Sequence, residues 1–165
     1  MVNKILCAAI LANLLTGCAK YSVAVNDNTV YTPPPIFTAF STPDRNLQRC
    51  IDATIKENHL TQAEQLKRLF CPNSEIKNLN GIEIFKGIVV LDLSNNQIVD
   101  ITPIKALQNV KQVNLAGNAI ETLAPLANSK KLEQVLAAKN AKLECDSTVP
   151  LKHIKELSLP THCNN

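Results

Sequence analysis

The sequence has few aromatic residues and few glycines, and these shortages exclude several kinds of protein. Aromatic side chains make up 4% of the 165 residues and tryptophan is absent, so we expect a core of leucine, isoleucine and valine. The four glycines form no phosphate-binding loop, and the three histidines form no HExxH motif. The net charge of +3 comes without the dense basic and aromatic clusters of nucleic-acid-binding surfaces. We therefore expect a non-enzyme with no cofactor, no metal, no small-molecule substrate and no nucleic-acid partner.

A 22-residue repeat organises the middle of the chain. The apolar spacing of one window returns in the next window, with an asparagine at the same place in each. The two matching sets are Ile88, Leu91, Leu93, Asn96, Ile98, Ile101 and Ile104, and Val110, Val113, Leu115, Asn118, Ile120, Leu123 and Leu126. This period is typical of a leucine-rich repeat, in which each coil is a strand followed by a short return segment.

Weaker copies of the repeat flank these two windows. Residues 66–87 match as a degenerate first coil, with Cys71 at the buried strand position held by Leu93. Leu132 begins a further coil that keeps Asn140 and then slips by one residue. The pattern predicts an α/β fold, a short leucine-rich repeat solenoid over residues 66–145. Its parallel strands are expected on a concave face, with 3₁₀ or loop returns and atypical units at both ends.

The N-terminus has the features of an export signal. Residues 1–17 have a charged start, a short apolar run and small residues, which is typical of a secretory signal peptide. Leu15-Thr16-Gly17-Cys18 resembles a bacterial lipobox, and the resemblance implies cleavage before Cys18 and lipid attachment to it. An ordinary secretory peptide that happens to contain a cysteine is the alternative. Ala19 in place of aspartate implies, by the same resemblance, the outer membrane of a Gram-negative bacterium. Residues 18–42, which are polar and include three successive prolines, are expected to be a flexible tether.

A helical cap, residues 43–65, is predicted in front of the first coil. Asp44 is a suitable N-cap residue for a helix over 44–57. Thr61 and Glu64 have capping-box spacing, which predicts a second short helix. Such a cap would cover the apolar end of the stack.

The cap and repeats together resemble the internalin-type leucine-rich repeat proteins. The matching pieces are Asp44 with Leu47, Leu60-Thr61 with Leu66, Ile76-x-x-Leu79-x-Gly81-Ile82, and LDLSNNQIVDITPI. The resemblance covers residues 43–145. It implies return segments of 3₁₀ turns or loops, and a role in binding another protein through the repeat face.

Four of the six cysteines remain once Cys7 is assigned to the signal peptide and Cys18 to the lipid. Sequence alone allows three pairings of the four. On the predicted fold one pair falls at each end of the solenoid, and the last unit, residues 146–165, forms a C-terminal cap. We predict the disulfides Cys50–Cys71 and Cys145–Cys163, which export permits. The alternative for the second pair is a metal site of Cys145, His153, His162 and Cys163, whose spacing fits no compact zinc motif well.

Two rows of side chains have different expected roles. The asparagine column, Asn96, Asn118 and Asn140, is expected to satisfy buried backbone groups where the chain leaves each strand. Strand residues alternate between the core and the open face. The candidate protein-binding face is therefore Arg68, Phe70, Val90, Asp92, Gln112, Asn114, Gln134 and Leu136. Ser94 is also expected to be free to meet a partner.

The function expected from these features is that of a membrane-anchored lipoprotein. Its leucine-rich repeat domain would bind an unidentified protein partner in the bacterial cell envelope. One alternative is a structural or accessory lipoprotein of a larger envelope complex, without a discrete ligand. Another, by analogy with internalins alone, is a host-directed adhesin. Charged substitutions at Phe70 or Leu136 separate the first two, because only a binding module depends on its repeat face.

Overall fold

The computed structural model describes residues 23–25, 28–31, 34–151 and 154–163, and the chain divides into two compact units after Pro35. The expected signal peptide and Cys18 lie outside the described residues. In the first unit β1 (Val23–Val25) and β2 (Asn28–Tyr31) pair antiparallel. Both strands lie within residues 18–42, which were expected to be a flexible tether. The sequence places β-branched residues, which favour strands, on both sides of the turn-forming pair Asn-Asp. Within the described parts of the chain, no helix is both long and apolar enough to cross a membrane.

Five short strands form one parallel sheet in the second unit, after a helix, α1 (Arg45–Glu57). In order, the strands are β3 (Arg68–Phe70), β4 (Val90–Asp92), β5 (Gln112–Asn114), β6 (Gln134–Leu136) and β7 (Glu156–Ser158). Each strand pairs with the next, and the register joins Leu69 to Leu91 and Leu91 to Val113. Residues that pair on neighbouring strands are thus one repeat apart in the sequence. The predicted leucine-rich repeat solenoid is confirmed.

The segments around the strands contain short 3₁₀ turns. They are Ala63–Gln65, Ile82–Ile84, Thr102–Ala106, Ala124–Leu126, Cys145–Leu151 and Thr161–Cys163. Pro103 and Pro125 lie at the start of two turns, where their fixed φ suits the turn and no N–H is needed. Ile104 and Leu126 at these turns are buried, so each return segment adds an apolar residue to the core. The predicted 3₁₀ returns are confirmed.

The core consists of aliphatic columns closed at one end by phenylalanine. The central residue of each of the strands β3–β6 is at most 1% exposed: Leu69, Leu91, Val113 and Val135. At the N-terminal end the Phe85 ring is fully buried, with its centroid 5.0 Å from that of Phe40 and 6.2 Å from that of Phe37. These two rings come from the segment 36–42, which was expected to be tether. The segment packs on the repeats because these two rings, each partly buried, contact the core.

Asp44 caps α1 and also ties the helix to the first coil. Its Oδ1 accepts hydrogen bonds from the N–H groups of Asn46 (2.9 Å) and Leu47 (3.1 Å). Its Oδ2 accepts from the N–H groups of Lys77 (2.7 Å) and Asn78 (3.0 Å) in the first coil. Burial raises the pKa of Asp44, but these four donors lower it by more, so the pKa lies below its ordinary value.

The predicted second helix of the cap is a single 3₁₀ turn. Its N-cap residue is Gln62, one position later than expected. Gln65 Oε1 accepts hydrogen bonds from the N–H groups of Thr61 (2.7 Å) and Gln62 (3.1 Å). The capping box of Thr61 with Glu64 is therefore wrong by one residue. A glutamine reaches the same backbone groups that the glutamate was expected to reach.

Both predicted disulfides are confirmed. Cys50–Cys71 joins α1 to the residue after β3, across a sequence separation of 21 residues. Cys145–Cys163 joins the last two 3₁₀ turns, across a separation of 18. Closing a loop of this length stabilises the fold by roughly 3 kcal/mol in the chain-entropy model. The end units, which have only one neighbour each, are those that gain from a covalent tie.

Candidate functional site

Three asparagines hold the chain where it leaves the strands. They are Asn96, Asn118 and Asn140, and none is more than 9% exposed. Asn118 Oδ1 accepts a hydrogen bond from the Ile98 N–H (3.0 Å), and Nδ2 donates to the carbonyl oxygens of Leu115 (2.9 Å) and Leu93 (3.0 Å). The other two asparagines make the corresponding bonds one coil earlier and one coil later. Each asparagine thus joins two coils and fixes one edge of the strand face.

A second column at the strand ends has left-handed backbone. The torsion φ is 52° at Asn73, 55° at Asn95, 68° at Gly117 and 60° at Lys139. These residues occupy one position of the repeat in successive coils. Asparagine and glycine tolerate this region, whereas lysine is strained in it. Sequence reasoning missed this column, although turn-forming residues at the same offset in three coils were a signal for it.

The strand face is the set of side chains of β3–β7 that point away from the core. Of the eight candidates, Arg68, Phe70 and Gln112 are exposed, whereas the partly buried ones are Val90, Asp92, Asn114, Gln134 and Leu136. Phe70 is 54% exposed. Ser94, which was expected to be free, is only 8% exposed, because its N–H and hydroxyl both donate to Asp92 Oδ1. Ser94 therefore belongs to the turn that follows β4.

Polar side chains of the strand face bind one another across coils. Asn114 Nδ2 donates to Asp92 Oδ2 at 3.2 Å, and Gln134 Nε2 donates to Glu156 Oε2 at 2.7 Å. Asn114 Oδ1 in turn accepts from the Ala116 N–H at 3.2 Å. Both carboxylates are thus engaged by amide groups. The middle of the face presents amides and short polar groups in a fixed arrangement, which suits recognition of a polar surface.

A groove of about 390 Å³ opens where α1 meets β3, at the N-terminal end of the strand face. Leu60, Leu66 and Phe70 provide its apolar lining. Its charged lining residues are one anion, Glu57, and two cations, Lys67 and Arg68. Pockets that accept a protruding side chain have this composition, an apolar lining with a few polar groups that orient the ligand.

The backbone beside the groove is held from two sides. Cys71, the residue after Phe70, is bonded to Cys50 on α1. The Cys50 sulfur also lies 3.3 Å from the Phe70 carbonyl oxygen. An exposed ring on a fixed backbone loses little conformational freedom when it is covered by a partner. Phe70 is thus both the largest apolar group of the face and one of its best-anchored residues.

The C-terminal end brings together three of the four residues of the alternative metal site. The ligand atoms of Cys145, His162 and Cys163 lie within 4.8 Å of one another, whereas His153 lies outside the described residues. The two sulfurs are bonded to each other. His162 Nε2 lies 3.0 Å from the Leu143 carbonyl oxygen, within hydrogen-bond distance. The cysteines are thus committed to the disulfide and are not thiolate ligands.

The repeats also match known sequences. The family described as Leucine Rich repeats (2 copies) matches residues 86–128, the two windows with the clearest pattern. No curated protein matches the sequence significantly.

Among solved structures, three proteins of Listeria monocytogenes match this chain. The internalin InlF is 22% identical, with a TM-score of 0.51 over 77% of this chain and 45% of its own. Internalin C2 is 16% identical, with a TM-score of 0.36 over 78% of this chain and 97% of its own. The functional domain of InlJ is 15% identical, with a TM-score of 0.39 over 70% of this chain and 37% of its own. The likeness to InlF shows the fold, and the present chain spans less than half of InlF.

Proposed function

We propose that this protein, which carries internalin-like leucine-rich repeats, is a lipid-anchored module of the bacterial cell envelope. Its strand face binds a protein partner. The observation that carries this proposal is Phe70, 54% exposed beside the groove between α1 and β3. Buried aromatic anchors supply much of the energy of protein interfaces, and a folded domain exposes such a ring on a fixed backbone at some cost in solubility.

The dimensions of the face limit the partner. Five strands about 4.8 Å apart span roughly 20 Å, and each strand is three residues long. This area is smaller than one side of a standard protein interface, which is about 800 Å². The partner therefore presents a helix or loop with one large apolar side chain for the groove and uncharged polar groups for the amides of Gln112 and Asn114. To reach a stable interface it also contacts α1.

The envelope location rests on the sequence at residues 1–18 and on the two disulfides. Disulfides persist in oxidising compartments and are rare in the bacterial cytoplasm. Under this proposal Cys18 carries acyl chains. Wild-type cells fed an alkyne-labelled palmitate therefore incorporate the label into the protein, and Cys18→Ala abolishes incorporation. Cys7→Ala, within the signal segment, is the matched control and keeps it. Labelling of Cys18→Ala at the wild-type level contradicts the anchor.

Site-specific photocrosslinking tests the binding face in cells. A photoreactive amino acid at residue 112, in the middle of the strand face, is expected to capture one discrete partner. The same residue at position 99 is the control, because Val99 is 50% exposed on the segment after β4 and outside the strand face. Phe70→Asp is expected to abolish the adduct formed from residue 112. Equal capture from positions 112 and 99, or capture unaffected by Phe70→Asp, contradicts the proposed face.

A further inference from the structure

We infer that a second surface, along the edge of the solenoid beside the strand face, contacts the headgroups of anionic phospholipids. It meets the groove at Lys67. This surface, the lysine rim, lies in the turns that lead into the strands. Its members are all exposed and comprise Lys67, Lys86, Lys111, Lys130, Lys131 and Lys155. The inference rests on the proposed location at a membrane. It adds an orientation of the repeat domain that neither the anchor nor the binding face requires.

Backbone hydrogen bonds align the first row of the rim, in which Lys67, Lys111 and Lys155 alternate with Val89 and Glu133. The Val89 N–H donates to the Lys67 carbonyl oxygen, the Lys111 N–H to that of Val89, and the Glu133 N–H to that of Lys111, each at 2.8 Å. Lys155 continues the row, with its Nζ 3.4 Å from Glu133 Oε2. This row therefore crosses every coil of the sheet.

A second row runs beside the first. Asn109 Nδ2 donates to the Lys86 carbonyl oxygen at 2.9 Å, and Lys131 Nζ donates to Asn109 Oδ1 at 2.6 Å. Lys130 precedes Lys131 in the same turn. The two rows together place at least one lysine in the turn before each of the strands β3–β7, in a strip along one edge of the solenoid.

Charge is separated between this strip and the rest of the domain. Two carboxylates lie among the six rim lysines. Glu133 forms ion pairs with Lys111 (3.7 Å) and Lys155 (3.4 Å), and the Glu64 carbonyl oxygen lies against Gly87. Counting both carboxylates leaves a surplus of four positive charges. The other residues of 34–151 and 154–163 carry eight lysines or arginines against eleven aspartates or glutamates. The net charge of the domain is therefore small although one edge is basic and the rest of the domain is acidic. The partner of that edge is anionic.

The chemistry of the strip favours a lipid surface over an acidic protein. All six cations are lysines, whose compact charges on flexible stems suit a fluid array of phosphates. Arginine is the usual choice where a fixed carboxylate is gripped at two points. The strip is linear and repeats at the strand spacing, so it meets an extended surface and not a single group. Each lysine near an anionic leaflet contributes roughly fivefold to binding.

Lysine reactivity on vesicles tests this inference with the full-length protein. The protein is reconstituted into vesicles of phosphatidylglycerol and phosphatidylcholine, or of phosphatidylcholine alone, and treated with an amine-reactive reagent. Mass spectrometry then reads each lysine. Rim lysines are expected to react several-fold more slowly on the phosphatidylglycerol vesicles, and Lys139 and Lys142 at an unchanged rate. About 1 M salt removes the difference, because it shortens the screening length to about 3 Å. The acylated Cys18 peptide in the same digest reports the anchor separately.

Charge-reversal variants supply a matched comparison. Lys86→Glu with Lys130→Glu and Lys131→Glu removes the protection of the remaining rim lysines. Lys105→Glu with Lys139→Glu and Lys142→Glu makes the same change in net charge away from the rim and keeps the protection. Equal loss in both triple variants, or equal reactivity of all lysines on both vesicles, overturns the inference. Protection in the native envelope but not on phosphatidylglycerol vesicles assigns the rim to an acidic protein and also overturns it.

Discussion

Asn118→Ala is the substitution that most directly probes how the coils are held together. It leaves the Ile98 N–H without its partner inside the stack. It also removes one of the two bonds to each of the Leu93 and Leu115 carbonyl oxygens, which keep those from Asn96 and Asn140. A buried backbone group without a partner costs about 1–3 kcal/mol. Each of the two lost carbonyl bonds adds about 1 kcal/mol, so we expect a total loss of about 3–5 kcal/mol in the free energy of unfolding. Native domains have about 5–15 kcal/mol in all.

Urea unfolding with intact disulfides measures this loss. Circular dichroism is expected to show a lower midpoint with an unchanged slope, since the surface exposed on unfolding stays the same. Asn114→Ala is the matched control: that amide is also bonded across coils but is reached by solvent, and we expect it to cost less than about 1 kcal/mol. If both variants lose the same stability, the buried asparagine column does not hold the coils together.

Three further variants test other parts of the fold by the same unfolding assay. Asp44→Ala is expected to cost about 1–2 kcal/mol at neutral pH. Because the folded pKa of Asp44 is lowered, its contribution to stability is complete above the ordinary aspartate value near 4 and is lost as the pH falls through the folded pKa. The stabilities of wild type and variant therefore converge in acid. A difference that stays constant with pH contradicts this reasoning. Lys139→Asn is expected to raise stability by roughly 0.5–1 kcal/mol by relieving left-handed strain, whereas Lys142→Asn has no such effect and serves as the control. Cys145→Ser with Cys163→Ser is expected to cost about 2–4 kcal/mol; an unchanged midpoint would show that the last coil is not held by its disulfide.

The repeat itself was readable from the sequence because one physical constraint recurs in every coil. Each window must bury the same apolar positions and must satisfy the same backbone groups, so Leu93, Leu115 and Asn118 recur at fixed offsets. The disulfides were predictable from the repeat pattern, because that pattern places one pair of cysteines at each end of the solenoid. Periodicity therefore located the strands and the core.

Features that do not recur were missed or displaced. Phe37 and Phe40 pack on Phe85 at one place only, where the segment before α1 meets the first coil. Because this contact does not recur in other coils, the repeat pattern could not predict it. Ser94 was assigned to the open face by alternation alone, but β4 ends at Asp92 and the chain then turns to bury the hydroxyl. The lysine rim was missed in the sequence because its lysines are distributed over two rows and carboxylates elsewhere in the chain lower the net charge. Its separation from them is visible only once the coils are stacked.

Affinity for the partner captured from residue 112 tests the central claim, that the strand face is the binding surface. Isothermal titration of that partner against the wild type, Phe70→Asp and Val99→Asp compares two exposed apolar residues, one on the face and one outside it. We expect Phe70→Asp to weaken binding at least about 30-fold, in line with the roughly 2 kcal/mol or more carried by an interface anchor, and Val99→Asp to leave it unchanged. Equal affinities for all three proteins, or a loss confined to Val99→Asp, would contradict the account.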